Sequence, residues 1–395
     1  MKKLIDVAIS HPRFTICVLL LLVHSILWLS TGYLPVFIND YNSYALQADS
    51  WLHGRLDVDY FDLLELAFYN GKYYVSFPPI PSVILLPFVL VFGASAPDHF
   101  FSFIAGTIGA LCAFQIGKQM RYSNAVSLFW ALFVTCASNL ISLTMLGWVW
   151  FIAQSFAFGF TMLAFTCALS KKESIMGLSL FFLACAVGCR PLNVLFYPVL
   201  FYLLWCNLDK PRLRNILRLW YWLIAPGTVA ILLCLLNYVR FGSITEFGHN
   251  YLPEFVQAPL GQFNLSYIPH NLYRAIRLFA DNYSIPVRDG WAFYLVMPIW
   301  IAAIIIPIFI KKKPDTLVVM IIATCILHLL LTCAHKTMGG WHFGCRYLVD
   351  ATPLALLLCL HLRSEKPFLK IDAVLFIIGF LINMIGTIWF YSQFV

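Results

Sequence analysis

The sequence predicts an all-α polytopic membrane protein of about 11 transmembrane helices, with interfacial helices in its first outer loop. Three observations carry that prediction. Hydrophobic residues make up 61% of the 395 residues and charged residues only 11%, for a mean hydropathy of +0.82. Apolar runs long enough to cross a bilayer recur along the chain, and the longest stretch between two of them holds only about fifty residues; the whole of 1–395 therefore reads as a single transmembrane domain. The acids are gathered rather than scattered: Asp40, Asp49, Asp57, Asp59, Asp62 and Glu65, a third of the 18 in the chain, fall between 37 and 77.

Taken in order, spans are expected at 14–36, 98–117, 124–144, 147–170, 175–189, 191–206, 219–239, 292–310, 316–334, 350–363 and 371–392. Cytoplasmic loops retain Lys and Arg. With the N-terminus (Lys2, Lys3, Arg13) inside, each basic cluster becomes cytoplasmic in turn: Lys118 with Arg121, Lys171 with Lys172, Lys210 with Arg212, Arg214 and Arg218, Lys311 to Lys313, and Arg363 with Lys366 and Lys370. That parity requires the apolar run 80–95 to stay out of the count. It follows Pro78-Pro79 and contains Pro81 and Pro87, so it is read as a helix in the outer interface or a re-entrant segment. The outer loops are then 37–97, 240–291 and 335–349. The first span is too long for a cleaved signal and lacks a small-residue cleavage site, so it reads as a retained helix.

Composition narrows the function. Most of the 12 cysteines lie inside apolar spans, where Cys packs as a small hydrophobe, and no CxxC pair points to zinc. No Walker A sequence and no GxGxxG after a strand occurs, which leaves a nucleotide no recognisable site. The formal charge of +8 comes mostly from the cytoplasmic clusters, which suit anionic lipid headgroups; membrane lipids, not nucleic acid, are the expected polyanionic partners.

The polar chemistry falls on the outer side, in four segments. In the first, Tyr41, Tyr44, Ala45, Ala48 and Leu52 share one face at helical spacing, so an amphipathic interfacial helix is expected just after Asp40. Asp40 then sits at the mouth of the first span, either as the cap of that helix or as a reacting group; the other acids read as a solvated face. In the second, Asn70-Gly71 between two aromatic, strand-like runs marks a tight hairpin leading into Pro78-Pro79, and Lys72 is either an anchor or a phosphate contact. In the third, Arg190 stands between two apolar spans, where a charge needs a partner, a polar cavity or a path to the headgroups. The fourth has two pieces. Residues 237–249 carry Arg240 and His249, and residues 335–347 carry Lys336, His342 and Arg346 among Gly339, Gly340 and Gly344. Glycines let backbone approach a ligand closely, cations suit a phosphate, and aromatics suit a sugar ring or prenyl chain.

Together these pieces resemble the GT-C superfamily of membrane glycosyltransferases, in particular the bacterial protein-mannosyltransferase and aminoarabinose-transferase-like group. The matching parts are an acid just after the first span (Asp40, with Tyr44 and Gly54 following), Tyr73-Tyr74 before Pro78-Pro79, the Arg190-Pro191 pair, and the segments NYVRFGS (237–243) and GGWHFGCRY (339–347). The resemblance implies an inverting transfer of a sugar from a polyprenyl-phosphate donor to a lipid, glycan or protein acceptor. It implies an inner-membrane protein with a cytoplasmic N-terminus and a periplasmic active site. Asp40 would be the catalytic acid residue. Lys72, Arg190, Arg240, His249, Lys336, His342 and Arg346 would contact the donor phosphate and sugar, with Tyr44, Pro78, Pro79, Gly339, Gly340 and Gly344 shaping the loops. No cofactor is expected; a divalent metal held by Asp40 with Asp49 or His53 is the open alternative. The sequence departs from the pattern at Tyr41, where better-known members have a second acid, and at Phe77, where many have a Lys.

Two other classes fit the composition. A transporter or flippase of a lipid-linked or sugar substrate needs ionisable groups near the midplane and internal repeats; only His24 and His328 are placed for the former, and no repeat is evident. A non-catalytic envelope-assembly scaffold would keep the fold without the chemistry.

Overall fold

The computed structural model describes residues 2–36, 40–60, 65–208, 219–278, 291–305, 313–339 and 343–392. The chain is an all-α polytopic membrane protein, with one small two-stranded hairpin among the described residues. In chain order the helices are α1 (Lys2–Ser10), α2 (Pro12–Thr31), α3 (Ser43–Leu52), α4 (Ile80–Phe92), α5 (Asp98–Gln119), α6 (Asn124–Cys136), α7 (Leu140–Met145), α8 (Val149–Ala168), α9 (Glu173–Val187) and α10 (Tyr197–Asn207). Then follow α11 (Ile224–Phe241), α12 (Pro253–Val256), α13 (Ile268–Ile276), α14 (Phe293–Val296), α15 (Thr316–Ala334), α16 (Thr352–Leu362) and α17 (Lys370–Tyr391).

Six of these are long and apolar enough to cross a membrane: α2, α5, α8, α11 with its leading turn from Trp220, α15 and α17. The shorter α6, α9, α10 and α16 lie where the remaining spans are expected. The span expected at 292–310 is represented by α14 and a π-helical turn, Ile301–Ile305, its remainder lying outside the described residues. The proline-flanked run 80–95 is the helix α4 closed by a 3-10 turn at Gly93–Ser95.

Local chemistry sets the ends. Pro12 opens α2 at a position that needs no N–H, and Gly32 closes it with φ of 77° while its N–H bonds the Trp28 carbonyl. Ser123 caps α6 by accepting from the Val126 N–H at 3.3 Å, and Asp315 caps α15 by accepting from Val318 at 3.0 Å.

Helices α5, α8 and α9 form the centre of the bundle. The most apolar window of α8 is 83% buried, whereas those of α2, α11 and α17 are 33%, 22% and 28% buried, so the latter present most of their surface to lipid. Small residues let the central helices touch: an added Cβ at Gly159 of α8 would lie 2.9 Å from the Ala105 carbonyl oxygen of α5. Two polar pairs tie helices together inside the bundle. The His24 Nε2 lies 2.8 Å from the Thr144 hydroxyl, and Arg363, which also donates to the Ala302 carbonyl, meets Asp372 at 2.5 Å.

Helix α3 lies against α4, with Tyr44, Ala45 and Ala48 buried and Tyr41 half-buried. The expected apolar stripe is thus the packed face, although Leu52 at its end is 39% exposed. The N-cap of α3 is Asn42, whose side chain donates to the Ala94 carbonyl at 2.9 Å; Asp40 lies two residues ahead of it in an exposed turn and does not cap. Strands β1 (Leu66–Tyr69) and β2 (Lys72–Val75) pair antiparallel with Tyr69 opposite Lys72. Asn70 and Gly71 between them have φ of 49° and 78°, the two positive values that a two-residue type I′ turn requires.

Gly159→Val is expected to force α5 and α8 apart at the carbonyl of Ala105. Overpacking of this kind costs about 1–3 kcal/mol, read as a lower Tm in detergent by a fluorescence unfolding assay.

Candidate functional site

The hairpin is the hub on which the outer segments converge. Arg240, at the end of α11, donates from Nη1 to the Val75 carbonyl at 3.0 Å and from Nη2 to the Asn237 side chain at 3.1 Å. The next residue of the hairpin exit, Ser76, offers its carbonyl to His249 Nδ1 and its hydroxyl to the Glu65 carbonyl at 3.0 Å. Pro79 leads into Ile80, whose N–H bonds the Gly188 carbonyl at 3.1 Å and so draws the Arg190 turn to the hairpin. The last outer segment joins through a short bridge in which Lys336 N–H donates to the Gln262 carbonyl and Asn264 N–H to the Ala334 carbonyl, each at 2.9 Å.

These contacts enclose a cavity of about 570 Å³. Its walls are Phe77 and Pro78 from the hairpin exit, Cys189, Arg190, Pro191 and Leu192 from the turn after α9, Thr245 to Phe247, His249 and Asn250 after α11, Gln262 and Phe263, and Thr332, His335 and Tyr347. Three of the four polar segments, those of the hairpin, the Arg190 turn and the paired 237–249 and 335–347 pieces, are therefore neighbours at this cavity.

Arg190 is the cation at its wall. Nε donates to Asp350 Oδ2 at 3.1 Å, and the guanidinium lies 4.3 Å from the Tyr347 ring centroid. Gln154 of α8 donates to the other Asp350 oxygen at 3.1 Å and to the Arg346 carbonyl at 3.0 Å, and accepts from Arg346 Nη1 at 3.0 Å. Arg346 is 3% exposed; its Nε donates to the Gly339 carbonyl at 3.1 Å and its guanidinium lies 4.9 Å from the same Tyr347 ring. Gly339 has φ of 107°, and a Cβ there would sit 3.0 Å from Tyr347 ring atoms, so only glycine brings this carbonyl to Arg346. Burial disfavours charge on both arginines, but Asp350 and Tyr347 hold Arg190 firmly protonated.

The histidines have another role. Burial, together with the nearby arginines, pushes His249 down to about 4 and His335 to about 3, so both rings are neutral at pH 7. A carbonyl can only accept, so His249 Nδ1 carries the proton toward Ser76 and Nε2 is left as an acceptor. The Gln262 side-chain amide donates from Nε2 to His335 Nε2 at 3.2 Å, so the proton of the neutral ring sits on Nδ1, 3.2 Å from the Thr337 hydroxyl. The Thr332 hydroxyl, buried on the same wall, has no hydrogen-bond partner among the described residues. The cavity thus offers a fixed cation, a neutral acceptor at His249 Nε2 and the Thr332 hydroxyl, a set suited to an anion carrying hydroxyl groups.

Other sequence candidates stand apart from this cavity. Lys72, exposed at the start of β2, pairs with Asp57 at 3.2 Å, and Arg55 bonds Asp57 and Asp59 beside it. Lys336 donates to the Glu254 carbonyl at 2.6 Å. Tyr44 is buried against Phe77, with ring centroids 6.3 Å apart. Gly344 packs on the Val296 side chain. Gly340 and His342 lie outside the described residues. Asp40 is exposed, beside Tyr33 and Tyr41, and Tyr41 is wedged between Trp148 and Trp150 at 5.1 and 5.0 Å. His53 Nδ1 contacts the Asp49 backbone carbonyl at 2.9 Å, and no group of three or more His, Cys, Asp or Glu is placed to hold a metal ion among the described residues.

Residues that sequence reasoning passed over complete the picture. Asp350 and Gln154 sit inside runs read as spans, where a carboxylate and an amide are costly enough to have been a signal.

The chain has the fold of the GT-C membrane glycosyltransferases. It is similar to the crystal structure of ArnT, an aminoarabinose transferase, from Cupriavidus metallidurans bound to undecaprenyl phosphate. The identity is 13% and the TM-score 0.54, over 92% of this chain and 62% of that one. It is likewise similar to the apo oligosaccharyltransferase of Archaeoglobus fulgidus, at 11% identity and a TM-score of 0.53, over 96% of this chain and 56% of that one. The chain thus spans about three fifths of the length of the solved structures it matches. No protein-family profile and no curated protein sequence matches it.

Asp350→Ala is expected to remove the acceptor of both Arg190 Nε and the Gln154 amide. Breaking a buried pair by deleting one partner costs about 3–5 kcal/mol, measured as a fall in Tm of the detergent-solubilised protein.

Proposed function

We propose that the protein is a membrane glycosyltransferase that takes a sugar from a polyprenyl-phosphate donor and passes it, with inversion, to a hydroxyl of a lipid, glycan or protein acceptor on the outer face. The observation that carries this reading is the cavity of about 570 Å³ with Arg190 on its wall, its charge set by Asp350, in a fold shared with a transferase crystallised with undecaprenyl phosphate. Arg190 gives one N–H to Asp350 and keeps others for a phosphate oxygen. His249 Nε2 supplies an acceptor, and the Thr332 hydroxyl a second polar group, for sugar hydroxyls. The lipid tail has a place to go. One helical turn before Thr332 on α15, His328 borders an apolar groove of about 120 Å³ lined by Phe293, Trp300, Ile322, Ile326, Leu329 and Leu348.

The reaction needs two things at the sugar carbon. A carboxylate takes the acceptor proton as its oxygen bonds the anomeric carbon. A cation steadies the phosphate as the carbon–oxygen bond on the far side breaks and polyprenyl phosphate departs with the electron pair. Arg190 supplies the cation and the acidic first outer loop the carboxylate, Asp40 being the residue that the resemblance puts forward. With the N-terminus cytoplasmic, the cavity faces the periplasm, and neither a cofactor nor a metal enters the scheme.

The test is release of free polyprenyl phosphate from a panel of polyprenyl-phosphate sugars by purified protein supplied with crude envelope acceptors. Wild type is expected to turn over at least one donor, and Arg190→Met to lose about 100-fold in kcat/KM. A wild type silent on every donor, or substrate flux across vesicles without turnover, would overturn the proposal in favour of a scaffold or a transporter.

A further inference from the structure

We infer that the protein holds the phosphate headgroup of an anionic membrane lipid in a second cleft, between the hairpin and the last turn of α11. The hairpin register builds this cleft. Tyr69 stands opposite Lys72 and Ala67 opposite Tyr74; cross-strand partners share a face, so Tyr69, Lys72 and Tyr74 project to one side. That side packs on the Phe241 ring, whose centroid is 5.8 Å from that of Tyr69 and 5.4 Å from that of Tyr74. Beside this contact lies a cleft of about 530 Å³, walled by the same three residues and by Tyr238, Val239 and Arg240 of α11. It shares no lining residue with the cavity that holds Arg190.

Arg240 shows what the cleft lacks. It is 2% exposed, and its two bonded N–H groups go to neutral acceptors, the Val75 carbonyl and the Asn237 side chain. Its Nε–H has no partner, and no carboxylate pairs with it among the described residues. A buried guanidinium needs a counter-ion. Snorkelling, the usual relief for an arginine at the end of a span, is not open to a side chain turned inward onto the hairpin. Glu246, whose charge reaches Arg240, is engaged by the Gly248 N–H at 2.5 Å and the Asn250 amide at 2.6 Å. Lys72 adds a second positive charge. Its ammonium pairs with Asp57 at 3.2 Å, but Arg55 shares that carboxylate, and Lys72 keeps N–H groups for another anion. No acid lines the cleft, and the hydroxyls of Tyr69, Tyr74 and Tyr238 bond no protein group among the described residues. Two cations and three phenol donors suit a phosphate. The membrane is its source. Tyr238 and Val239 are exposed on α11, the least buried of the six spans, and Arg240 stands one residue before that span ends, at the level of the headgroups. A lipid phosphate seated there would bind β2 to α11 and so steady the hairpin exit that shapes the cavity.

Neither Lys72 nor Arg240 enters the reaction scheme, so the site is tested without turnover and stands or falls apart from the transferase reading. The full chain in detergent is titrated with phosphatidylglycerol or phosphatidylcholine in mixed micelles, or with inorganic phosphate, and bound ligand is counted by native mass spectrometry. Wild type is expected to prefer phosphatidylglycerol over phosphatidylcholine by about 20-fold. Arg240→Met also removes the partner of the Val75 carbonyl, so the exposed Lys72 carries the test. Lys72→Met is expected to weaken phosphatidylglycerol binding about 5-fold, Lys72→Glu to abolish the preference, and Lys72→Arg to keep it. Arg190→Met, at the other cavity, should bind the lipid as wild type does. Equal binding of the two lipids by wild type would overturn the inference. So would a preference that survives Lys72→Glu but is lost in Arg190→Met, or binding of inorganic phosphate with none of the lipid.

Discussion

The Arg190–Asp350 pair is the constraint on which the outer side depends. A guanidinium and a carboxylate are held at 3.1 Å where an apolar bundle meets its loops, with side-chain exposures of 14% and 1%. Neither charge is tolerable there alone. Asp350 opens the run leading into α16, Arg190 follows α9, and Gln154 from α8 holds the second oxygen of the carboxylate, so three distant stretches of chain are locked by one small network. Its asymmetry matters for chemistry. Asp350 has both oxygens engaged by protein, whereas Arg190 retains N–H groups at the cavity wall.

Around that lock the protein separates two electrostatic regions. On one side lie Arg190 and two histidines kept neutral by burial. On the other lie Glu65 and Asp40 near Tyr41, with Arg346 tied to the first through Tyr347 and Gln154. A reaction that moves negative charge onto a leaving phosphate and a proton onto a base is served by holding those regions apart yet rigidly connected. The hairpin supplies the connection, because Val75 and Ser76 on its exit bind Arg240, His249 and the backbone of Glu65.

Much of this was legible in the chain. The positions of the helices follow from the apolar runs, and Asn70-Gly71 specifies the hairpin because few residue pairs accept two consecutive positive φ values. The four polar segments were each visible, and the structure gathers three of them around one cavity, the Asp40 segment standing apart. What the residues could not show is which charges are consumed by one another. Lys72 and Asp57 are 15 residues apart in the chain and meet only across the loop. Asp350 is hidden by its apolar neighbours, and Glu65 is half-buried where Asp40 and Asp59 are exposed. Burial and pairing over long sequence separation are tertiary properties, and they decided the roles that residue type left open.

Phe77 now takes on a wider meaning. It lines the cavity at the place where the resemblance implies a lysine, and Arg190, carried by a separate turn of the chain more than one hundred residues later, lines the same cavity. A positive charge near a phosphate has no memory of the segment that supplies it; the electrostatic field is indifferent to chain connectivity. The chain shares its fold with solved structures over more than nine tenths of its length while matching no profile of aligned sequences, as a field supplied from either segment allows.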